Sequence, residues 1–168
     1  MRILGVDPGT VIMGWGVIDA GDGVLCLVDY GALKCSTRIT TAERLGILYN
    51  KLFEIVKEYR PDAVAIEQPF VAENVKTALA IGKAQAIAIL AAVNNGVPTF
   101  EYTPARIKQQ IANYGTSTKE QIQEMVRLEL HLDAAPEPAD AADALAVALC
   151  HWQEIHLSNI ISGRVKGS

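Results

Sequence analysis

The order of hydrophobic patterns along the chain constrains the fold most strongly. The first segment, "RILGVD", is an apolar run that ends at a Pro-Gly turn, and "GWGVIDAGDGVLCLVDYGAL" continues as two β-rich segments joined by Ala-Gly-Asp-Gly. Short apolar segments separated by such turn residues are typical of antiparallel strands. The N-terminal part of the chain is therefore predicted to form three strands in a meander.

The rest of the chain alternates between helical and strand-like patterns. In "TTAERLGILYNKLFEIVKEYRPD" apolar residues recur at helical spacing up to Pro61, which predicts a long helix. A short strand, "AVAIEQP", precedes a second helix from about Glu73 to Asn95, and "VPTFEYT" predicts a fifth strand. From Pro104 to Trp152 the pattern is helical, with interruptions at "NYGTST" and "DAAPEPAD". Because helical crossovers join parallel strands, this order predicts an α/β fold of the ribonuclease-H-like type, with a mixed five-stranded sheet flanked by helices.

Length and composition indicate a single globular domain. The chain has 168 residues, of which 50% are hydrophobic and 20% are charged, a composition that excludes disordered and fibrous proteins. We expect one domain over residues 1–156 and a flexible tail over 157–168. The apolar run "ILGV" is too short for a signal peptide or a membrane span, and three widely spaced cysteines without a CxxC pair indicate reduced thiols. These observations predict a cytoplasmic protein that does not engage a membrane.

Two predicted strands end on an acidic residue. "RILGVD" closes on Asp7 and "AVAIE" closes on Glu67. Ligands of open α/β sheets bind beyond the carboxyl ends of the strands, which is where these two side chains should lie. Each acid also has a simpler interpretation, because Asp-Pro-Gly is a common turn and a strand-end glutamate is often only solvated.

A second pair of acids lies in "PADAADALAVALCH", an otherwise small and apolar helix. Asp140 could cap this helix and Asp143 could act as a capping-box acid, with both favoured by the helix dipole. Residues at i and i+3 lie roughly 60° apart around a helix axis, so the two carboxylates can also face a common point.

If the helix packs near the ends of the first and fourth strands, all four carboxylates converge. No basic residue is adjacent in sequence to any of them, so the cluster would repel itself unless cations were bound. All-oxygen ligands suit Mg²⁺, with Mn²⁺ as a substitute, and two such ions can clamp a phosphodiester during in-line hydrolysis. Two bound ions would also offset the net charge of −4, which by itself does not favour a nucleic-acid partner. The acids therefore predict a metal-dependent nuclease.

Three motifs in this order and spacing resemble the RuvC family of Holliday-junction resolvases: "RILGVDPGT" followed by "GWGVID", "AIEQPF" followed by "IGKA", and "PADAADALAVALCH". The resemblance runs from about residue 1 to residue 152. It implies a bacterial, Mg²⁺-dependent homodimer that makes paired symmetric nicks in four-way DNA junctions during recombination and repair, together with a RuvA–RuvB branch-migration complex. The catalytic and metal-binding acids that it implies are Asp7, Glu67, Asp140 and Asp143.

The resemblance also indicates DNA contacts. Phe70 matches an aromatic residue that engages the opened centre of the junction, although a lone aromatic is more often a core residue. Lys108 and Lys119 match basic positions near the scissile phosphate, although lysines of this kind are more often only surface residues. Further phosphate contacts are expected at Arg106, Lys76 and Lys83. The helix from Glu73 to Asn95 is apolar around much of its circumference, which is typical of a fully buried helix or of one at an interface, such as that of a homodimer.

Two alternatives remain open at this point, and a third is excluded by the length of the chain. A ribonuclease-H-like nuclease that acts on RNA would carry similar acids but would read the 2′-hydroxyl. A non-catalytic junction-binding protein would use the same acids only as caps and turns. The "DPGT" turn also resembles the phosphate loop of actin-like phosphotransferases, but those need two domains and a second glycine-rich loop, which 168 residues do not provide.

Overall fold

The computed structural model describes residues 1–21, 23–68, 74–112 and 117–161. The strands are β1 (Arg2–Asp7), β2 (Ile12–Gly21), β3 (Val24–Lys34), β4 (Ala63–Glu67) and β5 (Thr99–Tyr102). The helices are α1 (Thr41–Tyr59), α2 (Val75–Val93), α3 (Pro104–Ala112), α4 (Lys119–Glu129) and α5 (Ala139–Ile161).

The strands form one mixed sheet in the order β3-β2-β1-β4-β5. β1, β2 and β3 pair antiparallel, whereas β4 lies parallel to both β1 and β5. This arrangement confirms the predicted meander and the predicted crossovers. The ribonuclease-H-like fold is therefore established within the described residues.

Two hydrophobic cores cover the two faces of the sheet. Leu4, Val6, Val64 and Ile66 pack with buried residues of α1 and α2, such as Leu52. On the opposite face the buried core is formed with α3, α4 and α5, and it contains Ile3, Ala65, Ile107, Val126 and Leu149. Alternation along β1 and β4 thus sends successive side chains to opposite layers.

Helix α2 has an apolar surface that the other described residues do not cover. Small residues such as Ala84 and Ala88 are fully buried on its inner side, whereas Val75 and Leu79 are 67% and 62% exposed. By length and composition alone this helix could cross a membrane, and 22% of its apolar window is buried. It connects β4 to β5 and packs against α1, so it belongs to one layer of the domain.

Two boundaries differ from the sequence prediction. Helix α5 continues to Ile161 and therefore runs into the segment predicted as a tail from residue 157; residues 162–168 lie outside the described part of the chain. The prediction that Asp140 could cap this helix is wrong. The helix begins at Ala139, and the carbonyl of Pro138 accepts a hydrogen bond from the N–H of Ala141, so Asp140 lies within the first turn.

Candidate active site

Strand geometry places Asp7 and Glu67 side by side on one face of the sheet. They end the neighbouring parallel strands β1 and β4, whose register pairs Val6 with Ile66. Because strand side chains an even number of residues apart share a face, Asp7 lies on the face of Ile3 and Glu67 lies on the face of Ala65. Both of those residues belong to the core beneath α5. The two acids therefore point towards the layer that carries Asp140 and Asp143.

Backbone contacts bring α5 directly onto the sheet at this point. A Cβ atom built on Gly14, which pairs with Asp7, would lie 1.9 Å from the carbonyl oxygen of Asp140. A Cβ atom built on Gly5 would lie 2.0 Å from the carbonyl oxygen of Ala144. Only glycine permits so close an approach, and this contact brings the first turn of α5 over the end of β1.

Asp7 and Glu67 form a hydrogen-bonded acid pair. Burial, together with the charges of Glu67, Asp143 and Asp140 and the hydrogen bond with Glu67, raises the pKa of Asp7 to about 8. Burial also raises the pKa of Glu67, whereas its hydrogen bond with Asp7 and the charges of nearby lysines act in the opposite direction. The raised pKa of Asp7 therefore favours a protonated Asp7 that donates a hydrogen bond to Glu67.

Asp143 forms an ion pair with a lysine from another helix. The Nζ of Lys119, the first residue of α4, lies 2.6 Å from the Oδ2 of Asp143. This hydrogen bond, and the charges of Asp140 and Asp7, raise the pKa of Lys119 despite partial burial. Burial raises the pKa of Asp143 even though the ammonium group opposes it. Lys119 thus lies within the field of the acidic cluster, although it is distant from the acids in sequence.

A cavity of about 280 Å³ opens beside these side chains. Glu67, Asp143, Lys108 and Lys119 line its polar part, and its apolar lining includes Ile107. Lys108 lowers the pKa of Glu67 through its charge, which places it within electrostatic reach of the acids. The cavity therefore combines carboxylates with two ammonium groups, as binding of a cation and a phosphate together would require.

The chemistry of the four acids fits a hard divalent ion, but their present conformation does not form a ligand set. Within the described ranges, no three His, Cys, Asp or Glu side chains are grouped so that they could hold a metal ion. Glu67 forms a hydrogen bond with Asp7, and Asp143 forms an ion pair with Lys119. The all-oxygen donor set and the raised pKa values both fit a site that gains from an added cation. Binding would require these two contacts to break.

The remaining predicted DNA contacts lie in different surroundings. Arg106 pairs with Glu154 of α5 through its Nε atom. Lys76 and Lys83 are exposed on α2, and in the described residues no ion pair joins them to the four acids. Phe70 lies outside the described residues.

Several contacts that support the site were not indicated by the sequence. The buried His151 contacts the hydroxyl of Tyr102 through Nδ1 at 2.6 Å, which ties the end of β5 to α5. Beside this contact, the Arg106–Glu154 pair holds the first turn of α3 to α5 and so orients the helix that carries Lys108. Gly5 and Gly14 could have been noticed, because glycine inside a strand often marks the close approach of another backbone.

Comparison with known proteins finds the same family along nearly the whole chain. The family model described as "Crossover junction endodeoxyribonuclease RuvC" matches residues 3–151. The chain is 51% identical over 162 residues to the crossover junction endodeoxyribonuclease RuvC of Dehalococcoides mccartyi, covering 96% of this chain and 97% of that one. A protein of the same name from a Roseiflexus species is 51% identical over 150 residues and is matched over 89% of each chain.

Solved structures agree with the sequence comparisons. The structure of Thermus thermophilus RuvC superposes with a TM-score of 0.85 at 34% identity, covering 94% of this chain and 97% of that chain. The same protein in complex with a Holliday junction substrate gives a TM-score of 0.85 at 33% identity, with 94% and 96% of the chains covered. The yeast mitochondrial Holliday junction resolvase Ydc2, at 12% identity and a TM-score of 0.63, shares the fold. By its family model, its relatives and its fold, the chain belongs to the RuvC family of crossover junction endodeoxyribonucleases.

Proposed function

We propose that this protein is an endonuclease that resolves four-way DNA junctions by paired symmetric nicks, in recombination and DNA repair. The observation that carries the proposal is the placement of Asp7, Glu67, Asp140 and Asp143 where the ends of β1 and β4 meet the first turn of α5. Membership of the RuvC family and the solved Holliday junction complex of a relative at 33% identity support the choice of substrate.

The four acids are proposed as the ligands of two Mg²⁺ ions, for which Mn²⁺ can substitute. Bound there, such ions would activate the attacking water and stabilise the leaving oxygen of the phosphodiester. The chain's own contribution is to hold four carboxylates in a partly buried place, where their mutual repulsion favours cation binding over the free state. Asp7 must give up its proton in the process, so activity should rise with pH through the range in which Asp7 ionises.

The two lysines of the cavity are proposed to bind the scissile phosphate. Lys108 and Lys119 lie in the same 280 Å³ cavity as Glu67 and Asp143. Their ammonium groups can neutralise charge on the phosphate, and their position fixes that phosphate beside the acids. Phe70 is proposed to stack in the opened junction centre, and Lys76, Lys83 and Arg106 to make additional phosphate contacts.

The exposed apolar side of α2 is proposed as the interface of a homodimer. Val75, Leu79, Leu90 and Val93 are each about half exposed or more, and an uncovered apolar surface of this kind marks an interaction site. A two-fold dimer matches the two-fold symmetry of a junction that is cut on two strands. A RuvA–RuvB branch-migration complex is the proposed functional partner and the cytoplasm the proposed compartment.

Incubation of a synthetic four-way DNA junction with the protein and Mg²⁺ or Mn²⁺ tests this function. Paired nicks at symmetric positions, which a ligase can reseal, are the expected products. A linear duplex and an RNA–DNA hybrid serve as substrate controls, because a nuclease that reads the 2′-hydroxyl would prefer the hybrid. Asp7→Asn keeps the shape of the side chain and removes its charge. Cleavage that survives this substitution would rule out the proposed role of the acids.

A further inference from the structure

One contact in the site joins two side chains for which different ligands are proposed. Asp143 is proposed to bind a metal ion and Lys119 to bind a phosphate. The Nζ of Lys119 lies 2.6 Å from Oδ2 of Asp143, in an ion pair whose side chains are 54% and 21% exposed. The lysine begins α4, whose start is fixed by a capping box between Thr118 and Gln121. The ammonium group is therefore held towards the acids by an ordered helix end.

The ion pair and a divalent cation would compete for the same carboxylate. The positive charge of Lys119 also acts on Asp7 and Asp140, so it partly neutralises the cluster as a whole. A bound ammonium removes the repulsion that would otherwise favour cation binding, and it occupies one of the required oxygen atoms.

We propose that Lys119 is an internal counter-ion that competes with divalent cations for Asp143, so that the DNA-free protein binds these cations weakly. The inference rests on the proposed function in that Asp143 is taken as a metal ligand. It assigns Lys119 a second role, as a positioning residue that acts through Asp143 in the absence of DNA. A backbone phosphate offers the ammonium group another partner, so loading of the cation would be favoured where a substrate is bound.

Titration of DNA-free protein with Mn²⁺ by isothermal calorimetry tests this competition directly. Lys119→Met removes the charge and keeps the length of the side chain. We expect Mn²⁺ to bind about tenfold more tightly to this variant than to the wild type, which corresponds to about 1.4 kcal/mol.

Two variants control for charge and for folding. Lys108→Met removes the same formal charge from the same cavity, and among the described contacts Lys108 forms no ion pair with Asp143. Its effect on Mn²⁺ affinity should therefore be clearly smaller. Lys119→Arg keeps the positive charge and should bind Mn²⁺ about as weakly as the wild type. If Lys119→Met does not fold, Lys119→Gln serves in its place, with thermal unfolding as the check.

The outcomes separate this inference from the proposed function. An unchanged or weaker Mn²⁺ affinity in Lys119→Met, or no detectable binding in either protein, overturns the counter-ion role even if the wild type cleaves junctions. An equal gain in Mn²⁺ affinity in Lys108→Met also overturns it, because the gain would then depend only on the total charge of the cavity. Tighter binding only after loss of Lys119 supports it, even if the wild type cuts no junction and the proposed function fails.

Discussion

Substitution of Asp7 by Asn should stabilise the protein in the absence of divalent metal. Burial and three neighbouring acids raise the pKa of Asp7 to about 8 in the folded protein, whereas an aspartate in an unfolded chain has a pKa of about 3.9. Between these values the unfolded chain is ionised at this residue and the folded protein is not. The folded protein therefore keeps its full stability below about pH 4, and its free energy of unfolding falls progressively as the pH rises to about 8.

The size of this gain in stability depends on the pKa difference of Asp7 between the folded and unfolded protein. It also depends on how far the neighbouring acids readjust their protonation. A pKa difference of about four, at about 1.36 kcal/mol for each pKa unit, sets a ceiling of about 5.5 kcal/mol. Glu67 and Asp143 contribute to the same repulsion and can readjust their protonation when Asp7 changes, so we expect about 2 kcal/mol at pH 8. For a domain of this size the gain corresponds to a rise in Tm of about 4–8 °C.

Thermal unfolding in EDTA at pH 4 and pH 8 measures this prediction. Asp7→Asn should unfold at a higher temperature than the wild type at pH 8 and at nearly the same temperature at pH 4. Asp133→Asn, at an exposed position in the loop before α5, should change stability by less than about 0.5 kcal/mol at either pH. A variant that is less stable than the wild type at pH 8, or a gain of equal size at pH 4, would refute the reasoning.

Three further predictions concern packing, DNA contact and assembly. Gly14→Ala should cost more than about 3 kcal/mol in unfolding free energy and abolish cleavage, because the new Cβ meets the backbone oxygen of Asp140; chemical denaturation and a junction assay measure both effects. Glu154→Gln should leave junction affinity unchanged or raise it, because it frees Arg106 from its ion pair; a loss of more than tenfold in a binding titration would show that the pair mainly orients α3. Leu79→Glu should shift the protein to monomer in analytical ultracentrifugation while its circular dichroism spectrum is retained, because Leu79 is 62% exposed on α2; a dimer that persists would exclude this surface as the interface.

The elements of the fold were predictable because their signals are local. Apolar periodicity and turn residues specify each strand and helix, and the rules for connecting strands then leave few topologies. The positions of Asp7 and Glu67 at the ends of β1 and β4 follow from the same pattern. The family follows from three motifs whose order is preserved along the chain, and the comparisons confirm it.

The contacts within the site were not predictable, because they join residues that are distant in sequence. Nothing near Asp143 signals that Lys119 of another helix lies 2.6 Å from it. The pairing of Arg106 with Glu154 depends in the same way on how α3 packs against α5. Hydrophobic periodicity specifies the side of a helix that is buried, but it does not specify the partner of an exposed charge.

Side chains alternate between the two faces of the sheet along β1, so the face on which Asp7 lies depends on the exact number of residues that separate it from Gly5. Gly5 lies under α5 and Asp7 follows two residues later, so both occupy the same face. One residue inserted between them would turn the carboxylate towards the apolar layer of α1 and α2, where a charge is poorly tolerated. A second inserted residue would restore the face but would carry the acid beyond the end of β4. Length changes in this short segment should therefore be tolerated far less than changes in side-chain size on the outer surface of the domain.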